Sequence, residues 1–301
     1  SGDWSSDVCS SDLCSVFQFS CGEQFFIDNL AELSTLNQFF PYLLLFFIPV
    51  LTMNSWAEER KLGTDEFLLT LPATDGEIIT GKYLSLLGVY ASSLILSISL
   101  LVILSFIGSP DLGLAAGNYL SYLILGASLI SAGMVASQLT SNATVAFILG
   151  VLISSVLMFA GRIFDAIKGL FGNETQGALQ NSGLLAHFQE MSTGVITLEA
   201  IFYYLVLTLI MLYLNLILVT RRHWSHSQQE KLQFHFSLRI IALLVIMASA
   251  STLLNRAAVR ADLTSEKIHS FSEVSKDLLQ KLENPLIVEA YVSPEVPSDF
   301  V

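Results

Sequence analysis

Long apolar runs recur along the chain and are separated by short polar segments. A helix that crosses the hydrocarbon core of a bilayer needs about 20 consecutive, mostly apolar residues. Six runs approach this length without a charged residue in the interior, as expected because an ion is costly to bury in lipid. We therefore predict an all-α polytopic membrane protein with about six transmembrane helices. The predicted spans are Phe39–Asn54, Tyr83–Ile107, Asn118–Gln138, Ala143–Ala160, Ala200–Val219 and Leu238–Leu254.

The first predicted span contains Pro41 and Pro49. A proline inside a helix removes one backbone hydrogen bond and clashes with the preceding turn, so we expect a kink at Pro49. No water is available in the hydrocarbon, and neighbouring helices must therefore satisfy the backbone groups that the kink leaves unpaired.

Small residues share one face of the third predicted span, at Gly126, Gly133 and Ser137. Such a stripe lets another membrane helix approach closely, which we favour, but it could also line a lateral path for a substrate. Asn215 in the fifth span has the same two interpretations: it bonds to a neighbouring helix, or it contacts a substrate directly.

Lys and Arg residues indicate the orientation of the spans, because short basic loops stay in the cytoplasm. The loop between spans one and two carries Arg60, Lys61 and Lys82, and the linker 221–237 is also basic. We expect both to be cytoplasmic. The segments 14–38, 108–117 and 161–199 and the tail after the sixth span are then extracytoplasmic.

Composition supports a membrane protein. Hydrophobic residues make up 53% of the 301 positions and charged residues 13%, against about 45–50% and 25% in soluble domains. The formal net charge of −12 argues against nucleic-acid binding, which needs a basic surface to meet phosphates.

The loop from Ser55 to Lys82 has the sequence SWAEERKLGTDEFLLTLPATDGEIITGK. Thr64 is predicted to cap a short amphipathic helix that Pro72 ends. Thr74 and Glu77 have the spacing of a capping box, which begins the next helix. This short helix either lies on lipid headgroups or docks a cytoplasmic partner, and the residues alone leave both possibilities open.

The run AEERKLGTDEFLLTLPATDGEIITGKYL resembles the signature of type-2 ABC exporter permeases. The resemblance implies that this loop is a coupling helix docked on a separate ABC ATPase subunit. It also implies a second permease unit, identical or not, to face a two-fold ATPase dimer. The implied interface residues are Glu58, Glu59, Arg60, Gly63, Thr64, Glu66, Leu68 and Pro72.

The end of the chain, from Arg260 to Pro297, resembles the start of the extracytoplasmic domain of a gliding-motility-type auxiliary subunit. Together the two resemblances imply a permease fused to an auxiliary subunit. One helix and one strand cannot bury a core, so we expect 255–301 to be the truncated beginning of an α/β domain.

The N-terminal residues Ser1–Leu13 are similar to translated sequencing-adapter sequence and are expected to be non-native. Only five spans precede the linker, whereas the permeases that the chain resembles have six; the missing first span would lie where these residues stand. Cys14 and Cys21 are close enough in sequence to pair, but the sequence does not decide whether they do.

No pattern for catalysis is present in the sequence. The chain has no GxxxxGK[ST] run to cradle the phosphates of ATP. Its five histidines lack the spacing of a zinc site, and no serine in a span has a histidine or acidic partner. We therefore predict a chain that is not an enzyme and has no catalytic, metal or cofactor site.

The predicted function is that of the permease subunit of an ABC-type exporter in the bacterial inner membrane. It would couple ATP hydrolysis by a partner chain to export of a substrate that the sequence does not identify. The alternative is a membrane scaffold that anchors an extracytoplasmic domain without transport. A secondary transporter is disfavoured, because the spans lack ionisable residues at mid-depth.

Overall fold

The computed structural model describes residues 34–65, 72–107, 111–163, 183–220 and 260–262, with the isolated residues 239, 242 and 249. The described residues form seven helices and two short strands, which confirms the all-α polytopic class. The elements are α1 Ser34–Thr52, α2 Asn54–Leu62, α3 Asp75–Ile107, α4 Leu112–Leu139, α5 Ala143–Met158, α6 Leu184–Ser192, β1 Val195–Thr197, α7 Leu198–Thr220 and β2 Arg260–Asp262.

Four described helical stretches are long and apolar enough to cross a membrane, namely Asn37–Leu62, Asp75–Ser99, Leu112–Leu139 and Leu198–Thr220. The shorter apolar helix Ala143–Met158 corresponds to the fourth predicted span. The sixth predicted span, the segment 14–33 and the tail beyond Asp262 lie outside the described residues, apart from isolated positions.

Helix α4 is the centre of the bundle and packs against α1, α2, α3, α5, α6 and α7. Its small residues are what permit this. A Cβ atom on Gly126 would lie 2.2 Å from Cε1 of Tyr90 in α3, and one on Gly133 would lie 2.2 Å from Oγ1 of Thr52 in α1. Side chains of neighbouring helices therefore fill the small-residue face, as the packing interpretation predicts.

Asn215 of α7 also bonds to the central helix. Its buried side-chain amide donates to the carbonyl oxygen of Ser131 in α4, at 3.2 Å, and to that of Met211 in its own helix, at 3.0 Å. A contact to a neighbouring helix was one of its two predicted roles.

The helix that begins at Ser34 is interrupted at Met53, four residues after Pro49, and continues as α2. Ser137 of α4 lies at this break: its hydroxyl accepts from the backbone N–H groups of Trp56 and Ala57, both at 3.1 Å. The same hydroxyl donates to the carbonyl oxygen of Met53 at 2.8 Å. The first N–H groups of a helix have no partner within the helix, so a neighbouring helix caps α2.

The two ends of the bundle are formed by different elements. One end, called the α2 end below, carries α2, the start of α3, the α4–α5 turn and the end of α7. At the other end, called the α6 end, Tyr122 stacks on Phe40 and Phe188 with ring centroids 3.8 and 5.9 Å apart. Strands β1 and β2 pair antiparallel at this end, with Val195 opposite Asp262.

We predict that Ser137→Ala lowers the free energy of unfolding by about 1–2 kcal/mol, because two buried N–H groups lose their acceptor. The measurement is equilibrium unfolding in mixed micelles. Ser131→Ala is the matched control. Ser131 is equally buried, but its hydroxyl donates to the carbonyl oxygen of Ser128 in the same helix, at 2.6 Å. An equal loss in both variants would contradict the capping role.

A second prediction concerns His187 of α6, which is 3% exposed and whose ring lies 4.8 Å from that of Tyr203. Burial lowers the pKa of His187 from 6.5 to about 4. The unfolded chain therefore binds a proton between those pH values and the folded chain does not. Stability is fully present above about pH 6.5 and declines as the pH falls towards 4, by up to about 3 kcal/mol.

The check is equilibrium unfolding at pH 7.5 and pH 4.5 for the wild type and for His187→Phe, which keeps a ring at this position. The variant should lose less stability than the wild type between the two pH values. The same pH dependence in both proteins would show that His187 does not contribute.

Candidate functional site

The charged helix α2 begins at Asn54 and ends at Gly63, which adopts φ 70°. In this left-handed conformation the N–H of Gly63 turns back to the carbonyl oxygens of Glu59 and Arg60. The sequence-based interpretation placed a loop here and began the helix at Thr64. That interpretation was wrong for 55–62, because the charged residues of this segment are good helix formers that continue the span. Asp65, in the first turn of the predicted helix, is helical.

The hydroxyl of Thr64 donates to the carbonyl oxygen of Glu59 at 3.3 Å and so closes the end of α2. The N–H groups that Thr64 is predicted to cap belong to residues 66 and 67, which lie outside the described residues. Glu66 and Leu68, which belong to the same predicted interface, lie outside the described residues. Pro72 is exposed ahead of α3.

The faces of α2 have different surroundings. Trp56 and Ala57 are fully buried, whereas Glu58 and Lys61 are exposed. Glu59 and Arg60 are half-buried and bond within the chain: Glu59 forms an ion pair with Lys82 of α3, and Arg60 donates to the backbone carbonyl of Gln138. The predicted interface residues therefore divide into an exposed and an internal group.

A cavity of about 540 Å³ lies between α2 and the α4–α5 turn, and we name it the α2–α5 groove. Asn142 on its far wall caps α5 by accepting from the N–H of Thr144 at 3.0 Å. The polar residues that line the groove are Asn54, Glu58, Lys61, Ser141, Asn142 and Thr144. This concave surface carries one exposed acid and one exposed base on the same helix.

The start of α3 confirms the predicted capping box. The N–H of Thr74 donates to Oε2 of Glu77 at 2.8 Å, and the N–H of Glu77 donates to Oγ1 of Thr74 at 3.3 Å. Thr220, at the last position of α7, donates to the side chain of Asp75 at 3.1 Å. The last turn of α7 thus reaches the same end of the bundle as α2.

The family model described as ABC-2 family transporter protein matches residues 27–180 of the chain. This match covers α1 to α5 and therefore the whole α2–α5 groove. The chain belongs to the ABC-2 transporter family. No curated protein and no solved structure matches it.

Membership in this family makes the chain the permease of an ABC transporter, a multi-pass membrane component that associates with an ABC ATPase. The four long apolar helices agree with that assignment. Within the described residues of this ABC-2 permease, no group of three or more His, Cys, Asp or Glu side chains is placed to hold a metal ion.

Two features of the site were missed by sequence reasoning. Helix α2 was missed because the first span was ended where the apolar run ends, although a run of helix formers followed by glycine is a known signal for a helix end. The role of Lys82 inside the chain was also missed. It was assigned to a basic loop, and nothing in the local pattern shows which carboxylate it meets.

We predict that Gly63→Ala lowers the free energy of unfolding of the permease by about 1 kcal/mol, because a Cβ atom is disfavoured in the left-handed region. Gly76→Ala is the control: Gly76 lies in the first turn of α3, and a Cβ atom there meets nothing within 4 Å. Equilibrium unfolding in micelles should show Gly76→Ala to be neutral or slightly stabilised. Equal losses would contradict the special role of Gly63.

Proposed function

We propose that this ABC-2 permease couples ATP hydrolysis on a separate ATPase subunit to export of a substrate across the bacterial inner membrane. The observation that carries the proposal is the α2–α5 groove, which lies inside the family match and carries the exposed Glu58 and Lys61. The α2 end would then be cytoplasmic, as the basic residues of the loop between spans one and two favour.

The groove suits a protein partner better than lipid headgroups. It is a concave surface with polar side chains on both walls, whereas a helix that only rests on a bilayer needs an apolar face turned towards the lipid. The apolar residues Trp56 and Ala57 are instead buried inside the chain. Glu58 and Lys61 are therefore left to contact the ATPase.

Movement of a docked ATPase would reach the membrane through α2. This helix follows directly from α1, and Ser137 fixes its first turn to the central helix α4. The ATPase can drive a conformational change only if its states bind α2 with different free energies. Two permease units facing an ATPase dimer would satisfy the two-fold symmetry of such a complex.

Strand pairing supports an extracytoplasmic tail. β1 precedes the membrane helix α7, yet it pairs with β2, which follows it in sequence. We propose that the chain returns across the membrane between Thr220 and Arg260, where the sequence predicts the sixth span. We propose that the tail leads into a gliding-motility-type auxiliary domain, on the basis of its sequence resemblance.

The proposal is tested by purifying the permease together with the ATPase encoded beside it. We predict that Glu58→Lys weakens the complex at least tenfold, because it reverses the charge of an exposed groove residue. Glu190→Lys, an exposed acid of α6 at the other end of the bundle, is the matched control and should bind like the wild type.

The readouts are the dissociation constant and the stimulated rate of ATP hydrolysis. A wild-type complex without stimulated hydrolysis would favour the scaffold function. Unchanged binding by Glu58→Lys would show that the ATPase docks elsewhere on the permease.

A further inference from the structure

Lys82 of α3 is a lysine whose side chain is only 17% exposed, and it makes three contacts with a single turn of α2. Its Nζ donates to the carbonyl oxygen of Ser55 at 2.7 Å and pairs with the carboxylate of Glu59. The same ammonium group lies 4.0 Å from the centroid of the Trp56 ring.

These contacts join two helices that otherwise approach little. The backbone of α2 packs against α1, α4 and α5, but α3 is not among its closely packed neighbours. The long side chain of Lys82 bridges that gap. Because the ammonium group of Lys82 is largely removed from water, breaking this pair costs more than breaking a fully exposed one.

Helix α3 is also the least enclosed of the described spans. Only 17% of its most apolar window is buried inside the chain, against 78% for α4. Its tyrosines tie it to the central helix at other points: Tyr90 donates to the carbonyl oxygen of Tyr122 at 2.7 Å, and Tyr83 to that of Ala127 at 3.3 Å. A helix of this kind can shift at modest cost, and the direction of the shift depends on its few fixed contacts.

We propose that Lys82 and Glu59 form a latch through which a movement of α2 is passed to the base of α3. This inference rests on the proposed function, since it assumes that an ATPase moves α2. Glu59 and Lys82 are then positioning residues inside the permease. Glu58 and Lys61 on the exposed face of the same helix contact the partner.

Because the latch does not touch the ATPase, its loss should lower the stimulated rate of ATP hydrolysis but leave the affinity for the ATPase unchanged. Lys82→Met and Glu59→Gln should each lower the maximal stimulated rate of ATP hydrolysis at least tenfold and leave the dissociation constant of the ATPase within threefold of the wild type. The double variant should be no worse than either single variant, because both remove the same contact. Lys82→Arg keeps the charge and should retain most of the stimulation.

The matched control is Thr80→Ala. Thr80 is exposed on α3 near Lys82, and its hydroxyl donates to the carbonyl oxygens of Gly76 and Glu77 in its own helix. This variant should behave like the wild type in both binding and stimulation. A general loss of stability in α3 would affect it as well, so it separates the latch from a nonspecific effect.

Hydrogen exchange of the full-length permease without ATPase is the second measurement. The amides of α2 should exchange at least tenfold faster in Lys82→Met than in the wild type or in Thr80→Ala. Unchanged exchange overturns the latch. A stimulated rate in Lys82→Met within twofold of the wild type also overturns it. So does a double variant whose loss of stimulated rate equals the product of the two single losses. Failure of the wild-type permease to bind any ATPase overturns the proposed function instead.

Discussion

The break between α1 and α2 depends on one hydroxyl group. Where a helix is interrupted close to the hydrocarbon, its first N–H groups need partners that water cannot supply. Ser137 supplies them for Trp56 and Ala57, and it can reach them because Gly133, one turn earlier in α4, lets α1 come close. The position of α2, and with it the groove, follows from this contact.

The four charged residues of α2 divide into two pairs with different surroundings. Glu59 turns inward to Lys82, and Arg60 turns to the backbone at the end of α4. Glu58 and Lys61 remain exposed beside the groove. The sequence EERK therefore combines two internal contacts with two residues that are available to a partner.

The sequence was sufficient to predict an element where one strong physical constraint acts on residues that are close together in the chain. A bilayer is crossed by long apolar helices, so the four long apolar helices could be predicted, and the Thr74–Glu77 capping box depends on residues three apart. It was insufficient where partners are distant in sequence. Nothing near Glu59 distinguishes it from Glu58, because the difference comes from Lys82, and nothing near His187 indicates burial against Tyr203.

The pairing of β1 with β2 also bears on how the protein is made. The two strands are separated by the whole of α7 and by residues 221–259. While the ribosome is still adding those residues, the backbone of Val195–Thr197 lacks its partner strand. The α6 end of the bundle is therefore completed only after α7 and residues 221–259 have been synthesised.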